Sequence, residues 1–556
     1  MGKKRLNYVA DFETTTDPED CRVWGWGIVN AEKVQSINDV RIGGSMGSFI
    51  EVVQELSPAI VSFHNLKFDG PFIIDWLYRN GFELSRSGEL RPGQFETLIS
   101  NMGAWYSFTV CWENGKRTEF RDSLKKLPMP VARIAKAFDL PVAKGEIDYD
   151  APRPVGHIPT PEEEHYIRLD VFIVAMALKL GLDQGMTKLT VGADSLAEYK
   201  GIIGAKVFER LFPILPDDMD YEIRQAYRGG FTYADERHLK KPTKPGITYD
   251  VNSLYPSVMY DRVLPFGEPI FVPGLPEVTE KHPLFIVSLT FTAKLKKKHI
   301  PCIQIKSSSQ FSPTEYQKVI AEPVTLMCTN VDLALWEEHY DLDILSYNGG
   351  WKFKGKSGFF NSYIDKWMEI KANSTGGMRE LAKLHLNSLY GKFATNPDVT
   401  GKYPVMEDNV VKLKLGEPET RDPVYTAMGV FITAYARDVT IRAAQENYDS
   451  FAYADTDSLH LIRDTEPDNL NIHPSNLGAW KREYAFSSAL YIRAKQYLEL
   501  KEDGEYEVHI AGLPRQIAQE VTFADVESTR TFHGKLVPRR VPGGIILEDT
   551  DFTLTV

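Results

Sequence analysis

The spacing of apolar and polar residues changes several times along the chain, and each change marks an element. Tyr8-Val9-Ala10-Asp11-Phe12-Glu13-Thr14 alternates as a strand and puts Val9, Asp11 and Glu13 on one face. Phe63-His64-Asn65-Leu66-Lys67-Phe68-Asp69-Gly70 presents a third acid just before the apolar run 72–77. A helical run opens at Tyr166-Ile167-Arg168-Leu169-Asp170, and its i, i+4 spacing places phenol and carboxylate on one face. Ile247-Thr248-Tyr249-Asp250-Val251 reads as a strand that breaks at Asn252-Ser253 into an amphipathic helix from Leu254. Residues 359–371 and 378–390 form a helix hairpin across Asn373-Ser374-Thr375-Gly376-Gly377. Residues 402–415 alternate around Glu407-Asp408-Asn409 as a β-hairpin, with Lys412 and Lys414 on one face and Val411, Leu413 and Leu415 on the other. A helix over 429–447 then leads to Tyr453-Ala454-Asp455-Thr456-Asp457-Ser458, a second hairpin with two acids at its tip.

A chain of 556 residues is too long for one core and predicts three or more domains. With 43% hydrophobic, 25% charged and 12% aromatic residues it has a globular composition. The net charge of -12 argues against a uniformly basic nucleic-acid binder, although binding follows local fields rather than totals. Basic runs occur at Lys294 to Lys298, at Lys240, Lys241 and Lys244, and at Arg539 with Arg540. Cys21, Cys111, Cys302 and Cys328 are far apart and make neither a zinc pattern nor a disulfide framework, which fits a reducing cytosol. The longest apolar run, 171–178, is too short to span a bilayer, and Met1-Gly2-Lys3-Lys4-Arg5 leads into a strand rather than a signal segment.

Asp455 and Asp457, two close anions, repel unless a cation sits between them, and a hard ion such as Mg²⁺ completed by substrate phosphates suits such a pair; a solvated acidic turn is the plainer reading. Asp250 stands at a strand-to-helix turn whose free N–H groups can seat a triphosphate. Tyr255, one turn inside that helix, can pack beneath a sugar and leave no room for a 2′-OH. Arg379, Lys383, Asn387 and Tyr390 fall within about 80° of one another on a helical wheel, beside Lys371 at the end of the preceding helix. Such a face can clamp a nucleotide's phosphates and base, or be merely solvated. Asp11, Glu13, Asp69 and Asp170 with Tyr166 make the set that a two-metal nuclease needs, unless Asp170 pairs locally and Asp69 only ends a strand. His64, Asn65 and Phe68 could grip a single strand by hydrogen bonds and stacking. Gly229 and Gly230 of Tyr227-Arg228-Gly229-Gly230 permit close approach of a backbone or phosphate, or make a plain turn. The stretch 350–357 satisfies the G-x4-G-K-S expression, but Trp351, Phe353 and two lysines crowd a loop that must wrap phosphates, and no companion acid supports an ATPase.

Taken together these residues resemble a family B DNA polymerase, and within that family the protein-primed enzymes of the phage phi29 type. Asp250 to Pro256, Lys383 to Gly391 and Tyr453 to Ser458 match three polymerase motifs in order. Asp11 with Glu13, Asn65 to Asp69, and Tyr166 to Asp170 match three proofreading motifs, while Tyr227 to Gly230 and Lys495 with Tyr497 match DNA-binding motifs. The resemblance implies a multidomain α/β fold, with an RNase H-like 3′–5′ exonuclease domain and a right-hand polymerase carrying two terminal-protein-region inserts. It places the exonuclease at 1–190, the first palm part at 191–261, the first insert at 262–358 and the fingers at 359–395. The hairpin insert follows at 396–422, the second palm part at 423–505 and the thumb at 506–556.

By the same resemblance Asp250 and Asp457 hold two polymerase ions with help from the Val251 carbonyl, and Asp455 lies close by. Lys371 and Lys383 contact the triphosphate, Tyr255 excludes ribonucleotides and Tyr390 stacks by the nascent pair. In the exonuclease Asp11, Glu13, Asp69 and Asp170 are ligands, Tyr166 orients water, and Lys144 and Glu146 match further site positions, Glu146 as a metal ligand. Thr14, His64, Asn65, Phe68, Ser123 and Leu124 hold a frayed 3′ end, and Tyr227, Gly229, Gly230, Lys495 and Tyr497 contact DNA. Two positions depart from the pattern: Ser62 stands where a tyrosine can meet single-stranded DNA, and Arg379 replaces a lysine. The expected cofactor is Mg²⁺, two per active site, with Mn²⁺ as a substitute. The expected partners are template-primer DNA, dNTPs and a terminal protein, for a monomer in the host cytoplasm with no membrane contact. Two rivals are a nucleic-acid-primed family B polymerase and a non-catalytic DNA clamp.

Overall fold

The computed structural model describes residues 5–86, 88–305, 316–510 and 512–553, so the basic segment before Arg5, expected to lead into a strand, lies outside the described residues. The first strand, Leu6–Thr14, runs antiparallel to Val23–Asn30 and parallel to Ala59–Phe63. Its flanking strands and helices bury Tyr8, Val9, Ala10 and Phe12 on both faces. Val9 faces the core shared with helix Pro161–Asp183, and Tyr8, Ala10 and Phe12 face the opposite core. Strand alternation therefore sends Asp11 and Glu13 toward the helix that carries Tyr166 and Asp170. That helix begins earlier than the apolar pattern suggests, because Thr160 and Glu163 close a capping box ahead of it. Asp69 does not end a strand; it lies in the first turn of helix Leu66–Arg79, after Asn65 turns the chain at φ 84°.

A second sheet is antiparallel in the order Tyr506–Ile510, Gln496–Lys501, Trp480–Arg493, Gly246–Val251, Ser458–Leu461, Phe451–Asp455 and Thr232–Ala234. Its edge strand Tyr506–Ile510 pairs with Gln496–Lys501 across residue 505. The expected helix hairpin is observed as Asn361–Asn373 and Gly376–Phe393, and the long helix before the acidic turn spans Thr426–Glu446. Residues 262–358 contribute a four-stranded sheet in the order Leu264–Val272, Tyr340–Lys356, Leu284–Leu295 and Val319–Thr329. The stretch 350–357 lies largely within its strand Tyr340–Lys356, whose backbone pairs with two neighbouring strands and so leaves no phosphate loop.

The hairpin expected at 402–415 is longer, Asp398–Glu407 with Val410–Thr420, and it extends the first sheet rather than standing free. Gly401 and Lys402 pair with Ser100 and Ile99, and Val411 is buried against the N-terminal core. A last hairpin, Thr531–Val541 with Gly544–Thr553, packs on the same N-terminal unit. Its turn comes so near helix Leu66–Arg79 that a Cβ on Gly544 would lie 2.3 Å from Phe72, which only glycine allows. Arg540 donates to the Val411 carbonyl at 3.2 Å, joining the two hairpins. Phe532 and Phe552 of the last hairpin also pack with Leu490, Ile492 and Leu498 of the second sheet, so the N-terminal unit, the two hairpins and the second sheet close a ring of contacts. Among the described residues no helix is long and apolar enough to cross a membrane.

Candidate functional site

Two acidic centres emerge, one on each large sheet. In the second sheet Asp250 pairs in register with Ser458, and Ser458 closes the hairpin opposite Asp455. The Val251 amide donates to the Asp457 carbonyl at 2.8 Å, so the strand end and the acidic turn are fixed together. Thr456 at the tip takes φ 60°, and its amide donates to the Phe231 carbonyl at 2.7 Å. Gly230 thus packs against Thr456 at the tip, with Tyr227 and Gly229 just before it in the chain. Burial, reinforced by Asp457 and Glu483 against the pull of Lys481, pushes the Asp250 carboxyl up to about 8. Burial also raises Asp457.

The positive side of this centre comes from the helix hairpin. Lys371 reaches Ser253 at 3.3 Å, at the turn just after Asp250. Burial pulls Lys371 below the usual lysine range, with Arg379, Lys383 and Lys481 adding repulsion, and an incoming polyanion would relieve both. Arg379 donates to the Lys371 carbonyl at 2.5 Å, and Lys383 pairs with Glu380 at 2.5 Å. Asn387 is exposed on the same face. Tyr255 and Tyr390 stack with centroids 3.9 Å apart and planes 18° apart, making an aromatic floor between the helix hairpin and the acids. Lys495 spans the opposite edge, with Nζ 2.9 Å from Asp455, while its amide donates to the Tyr453 hydroxyl at 2.9 Å. Tyr497 tilts against Tyr453 at 4.8 Å.

In the first sheet Asp11, Glu13, Asp69 and Asp170 converge as expected. Burial foremost, then Asp170, pushes Asp11 up to about 7, with Lys144 opposing. Burial with Asp11 and Asp170 raises Glu13, and burial with Asp11 and Glu13 raises Asp69. Lys144 approaches Asp170 at 2.8 Å, and Glu146 is exposed on the same segment. One buried carboxylate oxygen of Asp69 and one of Asp170 have no hydrogen-bond partner. Repelling acids with orphaned oxygens fit divalent ions held by carboxylate oxygen. Burial with Asp457 raises Asp250, and burial with Asp455 raises Asp457, so that donor set fits too. Among the described residues no group of three His, Cys, Asp or Glu side chains is placed to hold an ion by itself.

The Tyr166 hydroxyl lies 2.8 Å from that of Tyr149, and burial with Asp170 and Glu13 keeps Tyr166 a phenol. Asp122 gathers the neighbouring loops: one of its oxygens accepts from the amides of Leu124, Asn65 and Leu66 at 3.0, 3.1 and 3.3 Å. His64 donates through Nε2 to the Met129 carbonyl at 2.8 Å, and its Nδ1 lies 2.9 Å from the Ser123 hydroxyl. The segments holding Asn65 and Phe68 and Ser123 and Leu124 thereby become one edge of the cleft, with Thr14 half-buried at its strand end. Ser62 lies two residues before His64 on the neighbouring strand. Sequence reasoning missed Asp122, Tyr149 and Thr232, which donates to Asp455 at 2.8 Å. Only Asp122 left a local signal, an Asp-Ser pair at a strand end of the kind that caps a turn.

Comparison with known proteins gives the same reading. The family described as DNA polymerase type B, organellar and viral, matches residues 54–158 and 159–475. The chain is 46% identical to the DNA polymerase of Bacillus phage phi29 over 575 aligned positions, covering 99% of each chain. It is 32% identical to that of Streptococcus phage Cp-1, covering 98% of each. Among solved structures it is similar to phi29 DNA polymerase complexed with primer-template DNA and incoming nucleotides, with TM-score 0.93, 46% identity, and coverage of 99% of this chain and 100% of that one. The same enzyme complexed with single-stranded DNA gives TM-score 0.92 at 45% identity, with the same coverage.

Proposed function

The chain belongs to the organellar and viral type B DNA polymerases and is a protein-primed, replicative DNA-directed DNA polymerase with a 3′–5′ proofreading exonuclease; from that premise we propose how its residues divide the work. The observation that carries the division is the placement of two acidic centres on two separate sheets joined by a closed ring of contacts. At the polymerase centre Asp250, Asp457 and the Val251 carbonyl are the metal-facing groups, with Asp455 held by Lys495 and Thr232. Lys371, Arg379 and Lys383 neutralise the triphosphate, Asn387 lies on the same face, and the Tyr255–Tyr390 stack bears on the sugar and the nascent pair. Tyr255 leaves no room for a 2′-OH.

At the exonuclease centre Asp11, Glu13, Asp69 and Asp170, with Glu146 alongside, face the ions, and Tyr166 orients the attacking water. Thr14, His64, Asn65, Phe68, Ser123 and Leu124 receive the frayed strand. Tyr227, Gly229, Gly230, Lys495 and Tyr497 contact the DNA near the polymerase acids. Bound at each centre, a pair of Mg²⁺ ions, or Mn²⁺ in their place, would stabilise charge on the attacking and leaving oxygens. The chain's own residues bring a 3′-OH in line with the α-phosphate and hold the pyrophosphate against the helix hairpin.

We assign the exonuclease to 1–190, the palm to 191–261 and 423–505, the fingers to 359–395, the thumb to 506–556 and the inserts to 262–358 and 396–422. The inserts are the docking regions for a terminal protein whose hydroxyl accepts the first nucleotide, and the enzyme acts as a monomer in a host cell. The deciding experiment is extension of a singly primed circle with Mg²⁺ and no helicase, paired with transfer of labelled dNMP to a terminal protein. Products many times the circle's length and a labelled protein are expected. No extension from a bound primer would overturn the assignment, and extension without protein labelling would remove the priming role.

A further inference from the structure

The second sheet contains a buried carboxylate that the assigned chemistry does not use. Glu499, on Gln496–Lys501, has no exposed surface. Its Oε1 accepts from His460 Nδ1 at 2.7 Å and from the Tyr491 hydroxyl at 2.8 Å. Its Oε2 accepts from the Tyr484 hydroxyl at 2.7 Å and the Thr248 hydroxyl at 3.1 Å. These four donors come from three other strands. Thr248 lies on the strand that carries Asp250, His460 on the strand leaving Asp457, and Tyr484 and Tyr491 on the strand before the Lys495 turn. In register, Thr248 faces His460 on one side and Tyr484 on the other, so one carboxylate ties a row across the sheet directly beneath the catalytic turn.

Beside this row His460, Tyr453, Tyr491 and Tyr497 form an aromatic block. Tyr453 stacks on Tyr491 at 5.5 Å and 12°, and His460 meets Tyr497 edge-on at 5.1 Å. The block supports the two groups that reach the DNA side. The Tyr453 hydroxyl receives the Lys495 amide, and Lys495, at φ 61°, extends its ammonium to Asp455. A buried acid costs several kcal/mol unless it is fully bonded. Burial pushes Glu499 up, but His460 and the tyrosine hydroxyls outweigh it and hold the carboxyl below its ordinary value.

We propose that Glu499 is a positioning residue for the primer strand: through His460, Tyr484 and Tyr491 it fixes where the Lys495 ammonium and the Tyr497 ring stand relative to Asp455 and Asp457. It touches neither DNA nor nucleotide. The proposal rests on the polymerase assignment above, and its test separates the two. Purified full-length protein and its Glu499→Ala and Glu499→Gln variants are compared in steady-state extension, varying primer-template and dNTP separately, and in excision of a single-stranded oligonucleotide.

Glu499→Ala removes four hydrogen bonds, and the expected result is a rise of about tenfold in the primer-template KM, the scale of one charge-assisted hydrogen bond lost at the grip. The dNTP KM and single-strand excision stay within about twofold, because the helix hairpin and the first sheet lie outside the network. Glu499→Gln keeps the shape and some acceptors, and it should recover most of the primer-template KM. If the alanine protein does not fold, the glutamine protein carries the test through a smaller rise in the same constant. An unchanged primer-template KM in the folded alanine variant, or in the glutamine variant when the alanine protein does not fold, overturns the proposal, as does an equal loss of extension and single-strand excision. Failure of the unsubstituted protein to extend any primer would instead sink the polymerase assignment.

Discussion

A single methyl group at Gly230 should disable synthesis while leaving excision intact. A Cβ there would lie 2.6 Å from the Thr456 hydroxyl oxygen, 2.7 Å from its methyl and 2.9 Å from its Cβ. Rotating Thr456 cannot clear its own Cβ, so the backbone must move. Ordinary Cβ contacts begin near 3.4 Å, and the tip would have to retreat by about 0.5 Å at the Thr456 Cβ. Little slack exists, since the Thr456 amide is held by Phe231 at 2.7 Å and its carbonyl by Thr440 at 2.6 Å. Asp455 and Asp457 flank that residue, and misplacing reacting groups by about 1 Å costs about a hundredfold. Gly230→Ala should therefore lower kcat/KM for dNTP incorporation by 10- to 100-fold, roughly 1.4 to 2.7 kcal/mol of activation free energy. The assay is single-nucleotide extension under initial-rate conditions, with single-strand excision measured on the same preparation. Incorporation at the unsubstituted rate would refute the claim that Gly230 is small because the catalytic turn packs on it. A parallel loss of excision would show that the fold itself had failed.

Asp457→Ala should abolish incorporation and spare single-strand excision, whereas Asp11→Ala combined with Asp170→Ala should do the reverse; gel assays of both activities on each variant decide, and a mixed loss would contradict the separation of the centres. Deleting 402–415 removes Lys402, which pairs with Ile99, and the Val411 contact with Arg540, so displacement through duplex should fall far more than gap filling, and equal losses would count against the closed ring. Arg437→Met leaves the buried Asp332 carboxylate without its partner at 2.7 Å and should cost about 3–5 kcal/mol in urea unfolding at neutral pH. Although burial raises Asp332, Arg437 and Arg228 hold its carboxyl below 3.8 in the folded chain, so this stabilisation is present above pH 3.8 and lost as pH falls through the folded value. The difference between the two proteins should thus shrink on acidification below about pH 4, and a gap that widened would reverse the sign of the argument.

The elements nearest the chemistry were legible because their signals are local. Asp11 and Glu13 share a strand face by alternation, and Tyr166 and Asp170 share a helix face by spacing. The acids of 453–458 flank a turn that a short hairpin must make, and the 359–390 stretch reads as two helices because glycines and polar residues interrupt one apolar period. Helix starts were less legible. Helix Pro161–Asp183 begins at a capping box several residues ahead of its apolar stripe, and Leu66–Arg79 begins at a left-handed Asn65 that no period reveals.

What the chain alone determined, then, was its two sets of acids, the elements that carry them and their order, since each depends on neighbours within a few residues. Tertiary structure decided how those elements meet. That the 398–420 hairpin extends the N-terminal sheet depends on Gly401 finding Ser100. That the ring closes depends on Gly543 reaching Asp75, 468 residues away, and on Arg540 reaching Val411. The roles of Asp122 and Glu499 as buried collectors of amides and hydroxyls also appear only when separate strands stand side by side. A lone acid in a strand looks the same whether it faces water or four donors, because its hydrogen bonds are satisfied across the fold and leave no period in the sequence.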